Sequence, residues 1–321
     1  MKVLGIETSC DETSVAIVEN GKRILSNVVA SSLRFHQKYG GIVPEIASRM
    51  QLETIAQVAD ACLKEAGIKL EDVGLISVTG GPGLLGSLLV GVSFGQAVSL
   101  SLKVPLLQVN HVHSHLYAAF LDNPGIPLPF VALVVSGGHT SLFYVRGFDR
   151  IELLGATQDD ACGEAFDKVA KILGLGYPGG PFIERLGEKG DPRKIKFNCS
   201  QTKHPLNFSF SGIKTAVLYL VRAKKLAQKD KQDIAASFQE AAIRTLVNKT
   251  LLACKHKKAS RLVVGGGVAA NNRLRKIFYG QTKELGISCF FPARKLCMDN
   301  AAMVAGLGYR LCKKGKVVNA H

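Results

Sequence analysis

The sequence predicts an α/β fold of two duplicated domains, with a nucleotide and metal cleft between them. Two observations carry this. Residues 3–18 and 130–145 repeat one pattern: an apolar strand, a tight turn of small polar residues and a second strand, with a third strand following near 24–29 and near 151–155. Self-similarity of this kind argues for gene duplication and a cleft between like domains. Strand ends rich in glycine recur at 79–83, 136–138 and 265–267. Glycines there let the backbone approach an anion and offer it free N–H groups.

The remaining elements follow in order. A helix is expected over 45–67, with Ile46, Leu52, Ile55, Ala59 and Leu63 on its apolar face and Gly67 as its stop. A strand over 73–79 leads through the turn at 80–83 into a helix from Leu84. The apolar run 80–102 is interrupted by Gly81, Pro82, Gly83, Gly86 and Gly91 and reads as a buried loop and helix, with a membrane span as the alternative. A strand over 104–109 feeds a helix carrying Asn110 through Leu116. Further on come a helix at 163–173, a Gly-Gly loop with a helix at 178–187, and a long helix at 233–255 burying Ile234, Phe238, Ala241, Leu246 and Leu252. A strand at 261–264 and a helix from Asn271 complete the second half. The expected domains are 1–118 plus 296–321, and 119–295.

A chain of 321 residues is comfortable for two domains. The first strand starts almost at the initiator Met, so no signal or transit peptide is expected and the location is read as cytoplasmic. Eight cysteines without a Cys-x-x-Cys pair read as reduced thiols. The net charge of +16 is clustered: Arg193, Lys194 and Lys196; Arg222, Lys224, Lys225, Lys229 and Lys231; Lys255, His256, Lys257 and Lys258; Lys313, Lys314 and Lys316. Such a field steers a polyanion such as RNA, and a solvated basic face accounts for it equally well. No RNA-binding motif with stacking aromatics is present.

His111 and His115 are four apart, which puts both imidazoles on one helix face where they can grip one cation; His113 points away. Simple packing of two histidines stays open. A catalytic site needs a third ligand, and Asp299, at the start of a small-residue helix, is the candidate. Residue 112 is Val, so the HExxH glutamate of a metalloprotease is absent. Neither GxGxxG nor GxxxxGK[ST] occurs at the glycine turns, which disfavours Rossmann and P-loop readings. One phosphate turn per domain and a late adenosine turn match the layout of the actin-like ATPases. Asp11, in the first turn, can hold a magnesium or orient a phosphate; an Asx-turn is the structural alternative. Asp11 and Glu12 beside it are taken as the catalytic candidates. Glu164 and Lys168 form an i,i+4 pair, and Asp167 can bind ribose or substrate hydroxyls. Residues 208–215 read as a loop opening a helix, with Ser211 as a possible N-cap.

Read together, residues 5–13, 40–49, the His111/His115 pair, 135–140, 163–168, 177–181 and 208–212 resemble the TsaD family, whose archaeal and eukaryotic relatives sit in the KEOPS complex. The opening Glu-Thr-Ser-Cys-Asp-Glu-Thr is similar to the bacterial and organellar branch. The resemblance spans essentially the whole chain. It implies an actin-like (ASKHA) fold and a tRNA-modifying transferase. That enzyme moves a threonylcarbamoyl group from threonylcarbamoyl-AMP to N6 of adenosine 37, in tRNAs reading codons that begin with A, and releases AMP. It implies one Fe2+ or Zn2+ on His111, His115 and Asp299, and an adenine nucleotide, with ATP or ADP and magnesium as further occupants. Implied substrate contacts are Val134, Val135, Ser136, Gly137, Gly138, Asp167, Gly180, Glu184 and Asn271, the last chosen over Asn272 by its spacing to Asp299. Implied partners are tRNA, the shorter paralogue TsaB and the ATPase TsaE, with TsaC supplying the adenylate and no membrane involved. Helical stretches of the first domain are the expected contact with the paralogue. The alternatives are a metal-dependent ATPase or kinase, a metalloprotease, and a scaffold that dimerises with a paralogue.

Overall fold

A computed structural model describes residues 1–223 and 226–315. Lys224, Lys225 and Lys316 of the basic clusters lie outside the described residues. Two compact units emerge: Met1–Ile126 with the segment from Pro292 onward, and Pro127–Phe291. The first break falls after residue 118 because that position lies inside a continuous helix, His111–Asp122.

The first unit opens with β1 (Lys2–Glu7), β2 (Glu12–Glu19) and β3 (Arg23–Ser31), an antiparallel meander. The short α1 (Leu33–His36) and the long α2 (Pro44–Ala66) follow. Pro44 suits the first helical turn, where its missing N–H has no partner to lose, and Gly67 ends α2 at φ +64°. Then come β4 (Val73–Gly81), α3 (Leu85–Leu102), β5 (Leu106–Asn110) and α4 (His111–Asp122). The strand order is β3-β2-β1-β4-β5, with β4 parallel to β1 and β5 parallel to β4.

The second unit repeats this plan. A meander of β6 (Phe130–Val135), β7 (Thr140–Gly147) and β8 (Arg150–Ala156) leads to α5 (Cys162–Ile172), α6 (Gly179–Gly187), α7 (Ser211–Ala223) and α8 (Gln228–Lys257). β9 (Arg261–Gly265), α9 (Asn272–Glu284) and β10 (Ser288–Phe290) complete it. Its order, β8-β7-β6-β9-β10, reproduces the first sheet strand for strand in pairing and direction. The last helix, α10 (Ala301–Cys312), returns to the first unit.

Side-chain alternation explains how the first sheet is covered. Leu4 and Ile6 of β1 join Val15, Ile17, Ile76 and Val78 in a core with Ile55, Val58 and Ala59 of α2. Gly5 lies between them on the opposite face, against α10. A Cβ there would collide with the Ala301 carbonyl and stand 2.8 Å from Ala305 Cβ.

Two expectations for the first unit need correction. Leu52, expected on the apolar face of α2, is 69% exposed. α3 is not a buried helix: only Ser87, Gly91, Gly95 and Ser99 are buried, a stripe of small residues four apart. Leu85, Leu89 and Leu100 are 76%, 57% and 62% exposed. By length and composition α3 could cross a membrane, yet its stripe packs closely onto the sheet: a Cβ at Gly95 would lie 3.3 Å from Ile6 and Leu106.

Candidate functional site

α4 starts where β5 ends because the Asn110 side chain accepts the His113 N–H at 3.0 Å, capping the helix. This places His111 on the first helical residue and His115 one turn later, both buried. Asp299 sits just before Asn300, which caps α10 by accepting the Met303 N–H. The ligand atoms of His111, His115 and Asp299 all lie within 4.8 Å of one another. Asp299 Oδ1 is 3.1 Å from His115 Nε2 and 3.7 Å from His111 Nε2. His115 is fully buried, and neither of its ring nitrogens has a hydrogen bond; the close approach of Nε2 to Asp299 is not aligned as one. A buried polar atom left so costs about 1–3 kcal/mol. A cation held where the three side chains converge would give His115 Nε2 a partner. Two imidazoles and one carboxylate suit Fe2+ or Zn2+ and leave coordination positions open.

Behind this group stands Glu7, to which sequence analysis gave no role. Its Oε1 accepts the Ser9 N–H at 2.6 Å, while Oε2 accepts the Thr79 hydroxyl at 2.7 Å and His111 Nδ1–H at 3.0 Å. Burial alone would raise its carboxyl, but the charge and hydrogen bond of His111 outweigh this and hold it below the usual range. Burial works against the His111 cation too, but the Glu7 and Asp299 carboxylates raise it to about 9. A carboxylate closing a strand as buried as β1 was the available signal, since Glu is rarely fully buried without a partner.

The turn bearing Asp11 and Glu12 is held from below. Gln51, fully buried on α2, donates Nε2 to the carbonyls of Cys10 and Glu12 at 2.9 and 3.0 Å. Asp11 is nearly buried, and its carbonyl accepts the Ser32 N–H and hydroxyl. Burial, then the negative charges of Asp299 and Asp11, push the Glu12 carboxyl well above its usual range.

The other candidates lie in the second unit and form one chain of contacts. Val134 and Val135 end β6, and Ser136, Gly137 and Gly138 make the turn, closed by the Ser136 N–H to His139 carbonyl bond at 2.8 Å. α5 abuts this turn through Gly163, whose N–H donates to the Ser136 carbonyl; a Cβ on Gly163 would stand 2.6 Å from that oxygen. Asp167, on α5, accepts the Gly179 N–H at 2.6 Å, which brings α6 with Gly180 and Glu184 alongside. Glu184 accepts the Asn272 N–H at 2.7 Å. Asn271 is buried, caps α9 through Leu274 N–H and donates to Gln239. The Gly-Gly pair at 179–180 opens α6 itself instead of forming a loop before it. Ser211 is the first residue of α7, and its hydroxyl donates to Asp159. The Glu164–Lys168 pair forms at 2.8 Å, and all eight cysteines are free thiols.

Residues 23–306 match the model of the TsaD family, described as tRNA N6-adenosine threonylcarbamoyltransferase. A protein of that description from Thermosipho africanus is 51% identical over 316 residues, covering 98% of this chain and 96% of its own. One from Symbiobacterium thermophilum is 50% identical over 314 residues, covering 98% and 92%. Among solved structures, component A of the (R)-2-hydroxyglutaryl-CoA dehydratase of Acidaminococcus fermentans matches with a TM-score of 0.58 at 17% identity, over 98% of this chain and 99% of that one. The fold is that of the actin-like ATPases.

Proposed function

The chain belongs to the tRNA N6-adenosine threonylcarbamoyltransferase (TsaD) family and is a transferase, and from that premise we propose that it carries the threonylcarbamoyl group from threonylcarbamoyl-AMP to N6 of adenosine 37 in tRNAs reading codons that begin with A. The supporting observation in the site is the convergence of His111, His115 and Asp299 around an unsatisfied buried imidazole.

The chemistry is a displacement at a mixed anhydride. N6 attacks the carbamoyl carbon, the bond from that carbon to the phosphate oxygen breaks, and AMP leaves with the electron pair. A bound Fe2+ or Zn2+ supplies Lewis-acid polarisation of a carbamoyl or phosphate oxygen, with His111, His115 and Asp299 as its holders. The backbone N–H groups of Gly137 and Gly138 receive the phosphate, where charge builds up as AMP departs. Asp167 and Glu184, each anchored by a backbone N–H, contact the nucleoside with Gly180 and Asn271. Asp11 takes the proton released from N6. Glu12, beside Asp11, orients the donor substrate. The transfer is direct: Cys10 is no activated nucleophile, since burial and the neighbouring carboxylates raise its thiol far above the usual value.

The proposed partners are tRNA, the paralogue TsaB, the ATPase TsaE and the adenylate supplier TsaC. The exposed leucines of α3 are the kind of surface a paralogue would cover.

A reconstituted assay tests this. The protein and these partners are mixed with threonine, bicarbonate, ATP and unmodified tRNA, and the digested tRNA is read by mass spectrometry beside His111→Ala. Threonylcarbamoyladenosine from the parent and none from the variant is the expected result. No product, with the adenylate shown to be present, would refute the proposed reaction.

A further inference from the structure

We propose that Glu7 is the positioning residue of the metal centre: its buried carboxylate fixes His111 in the one tautomer whose Nε2 faces Asp299 and His115. This rests on the metal reading above and extends it to a residue that touches neither cation nor substrate. Glu7 is 0% exposed and closes β1. Thr79 lies near the end of β4, and His111 opens α4 directly after β5. These three strands are neighbours in the sheet, so one carboxylate binds their ends together. Both oxygens of the Glu7 carboxylate act as acceptors, Oε1 from the Ser9 N–H and Oε2 from the Thr79 hydroxyl. The Ser9 hydroxyl also lies 3.1 Å from His111 Nδ1, but it can accept as readily as donate, so the hydrogen that His111 keeps when a cation takes Nε2 sits on Nδ1, directed at Glu7; Nε2 lies 3.7 Å from Asp299 Oδ1.

Two features separate this from an ordinary core contact. Burying a carboxylate is costly, and an apolar side chain would fill the same space without that cost. The costly group is retained where its third partner is a metal-ligand candidate, the arrangement that orients an imidazole and raises its basicity toward a metal. His115 has no such support, since neither of its nitrogens is hydrogen-bonded. Orientation of His111 thus depends on Glu7, with Ser9 Oγ 3.1 Å from the same nitrogen.

Glu7→Gln keeps the shape and removes the acceptor pattern. In one amide orientation its NH2 meets the Ser9 N–H. In the other it meets His111, whose hydrogen must then move to Nε2, where it blocks the ligand position.

The test uses the full chain stripped of metal and titrated with Co2+ alone, followed by visible absorption, with thermal melting of each apo protein as the control for folding. The parent should bind Co2+ in a His111-dependent manner. Glu7→Gln should bind about 10- to 100-fold more weakly, with an altered spectrum and a melting temperature near the parent's. Histidine-labelled 15N spectra of the zinc-loaded parent should show His111 coordinated through Nε2 with Nδ1 protonated, a readout that holds even where the variant fails to fold. Unchanged affinity and spectrum in Glu7→Gln, or coordination through Nδ1, overturns the inference and leaves the metal site standing. Absence of His111-dependent Co2+ binding in the parent overturns the metal reading and this inference with it.

Discussion

Asp299 Oδ1 lies 3.7 Å from His111 Nε2 and 3.1 Å from His115 Nε2, so in the proposed metal site its charge would govern cation affinity. Asp299→Asn should weaken Co2+ or Zn2+ binding by more than the about 10- to 100-fold that loss of an outer hydrogen-bond partner costs; metal content after dialysis measures it. Gly266 is a residue of a different kind. It holds φ +93°, and a Cβ would run into the carbonyl oxygen of Val135, at the end of the strand that leads into the 136–138 turn. Gly266→Ala should destabilise the protein by about 2 kcal/mol or more, read as a shifted urea midpoint. The histidine pair, Asp299 and Gly266 within its glycine run could all be marked in sequence, because spacing and residue type advertise them. Glu7 could be marked only as a carboxylate closing an apolar strand, and Gln51 not at all. Each works through contacts with residues far away along the chain, and no local pattern records that.

At the level of elements, the duplicated meanders were legible because alternation and turn chemistry are local, and the parallel strands and long helices carried clear periodicity. β10 has only three residues and little pattern to offer. α3 misled because an apolar helix reads as buried, whereas its glycines and serines take the buried stripe and its leucines face outward. That reversal yields a prediction: Leu89→Glu should leave the melting temperature within a few degrees of the parent's and abolish co-purification with the paralogue; retained co-purification would place the contact elsewhere. A second prediction concerns the junction of α5 and α7. Asp159 accepts from Ser209, Ser211 and the Phe210 N–H, and Asp160 binds Lys168 at 2.7 Å and Lys214 at 2.9 Å. Burial raises both carboxyls, but these partners outweigh it and hold them below 3.8. Their folded values are depressed, so their stabilisation is complete above the unfolded value and is lost as pH falls through the folded one. The melting temperature should therefore drop as pH falls below about 4, and Asp160→Asn should flatten that part of the profile.

For the whole molecule the governing quantity is the +16 charge. Part of it is neutralised within the protein: Lys229 binds Asp233, Lys257 binds Glu152, and Arg244 and Arg273 share Glu240. Lys194 and Lys196 are exposed and make no ion pair among the described residues, so their charge is available to a polyanion. A tRNA that meets them releases counterions, and the logarithm of its binding constant then falls with the logarithm of salt by about 0.7 to 0.9 per phosphate neutralised. Replacing both lysines by Gln should weaken tRNA binding at low salt and flatten the slope by about 1 for each phosphate that is no longer neutralised. Asp299→Asn should leave the slope unchanged, since a metal ligand neutralises no tRNA phosphate. An unchanged slope in the lysine variant would mean that this cluster is a solvated basic face, and the RNA-binding surface would then have to be sought among the basic residues ending α8, where Lys257 is already held by Glu152 and Lys255 and Lys258 carry the remaining charge.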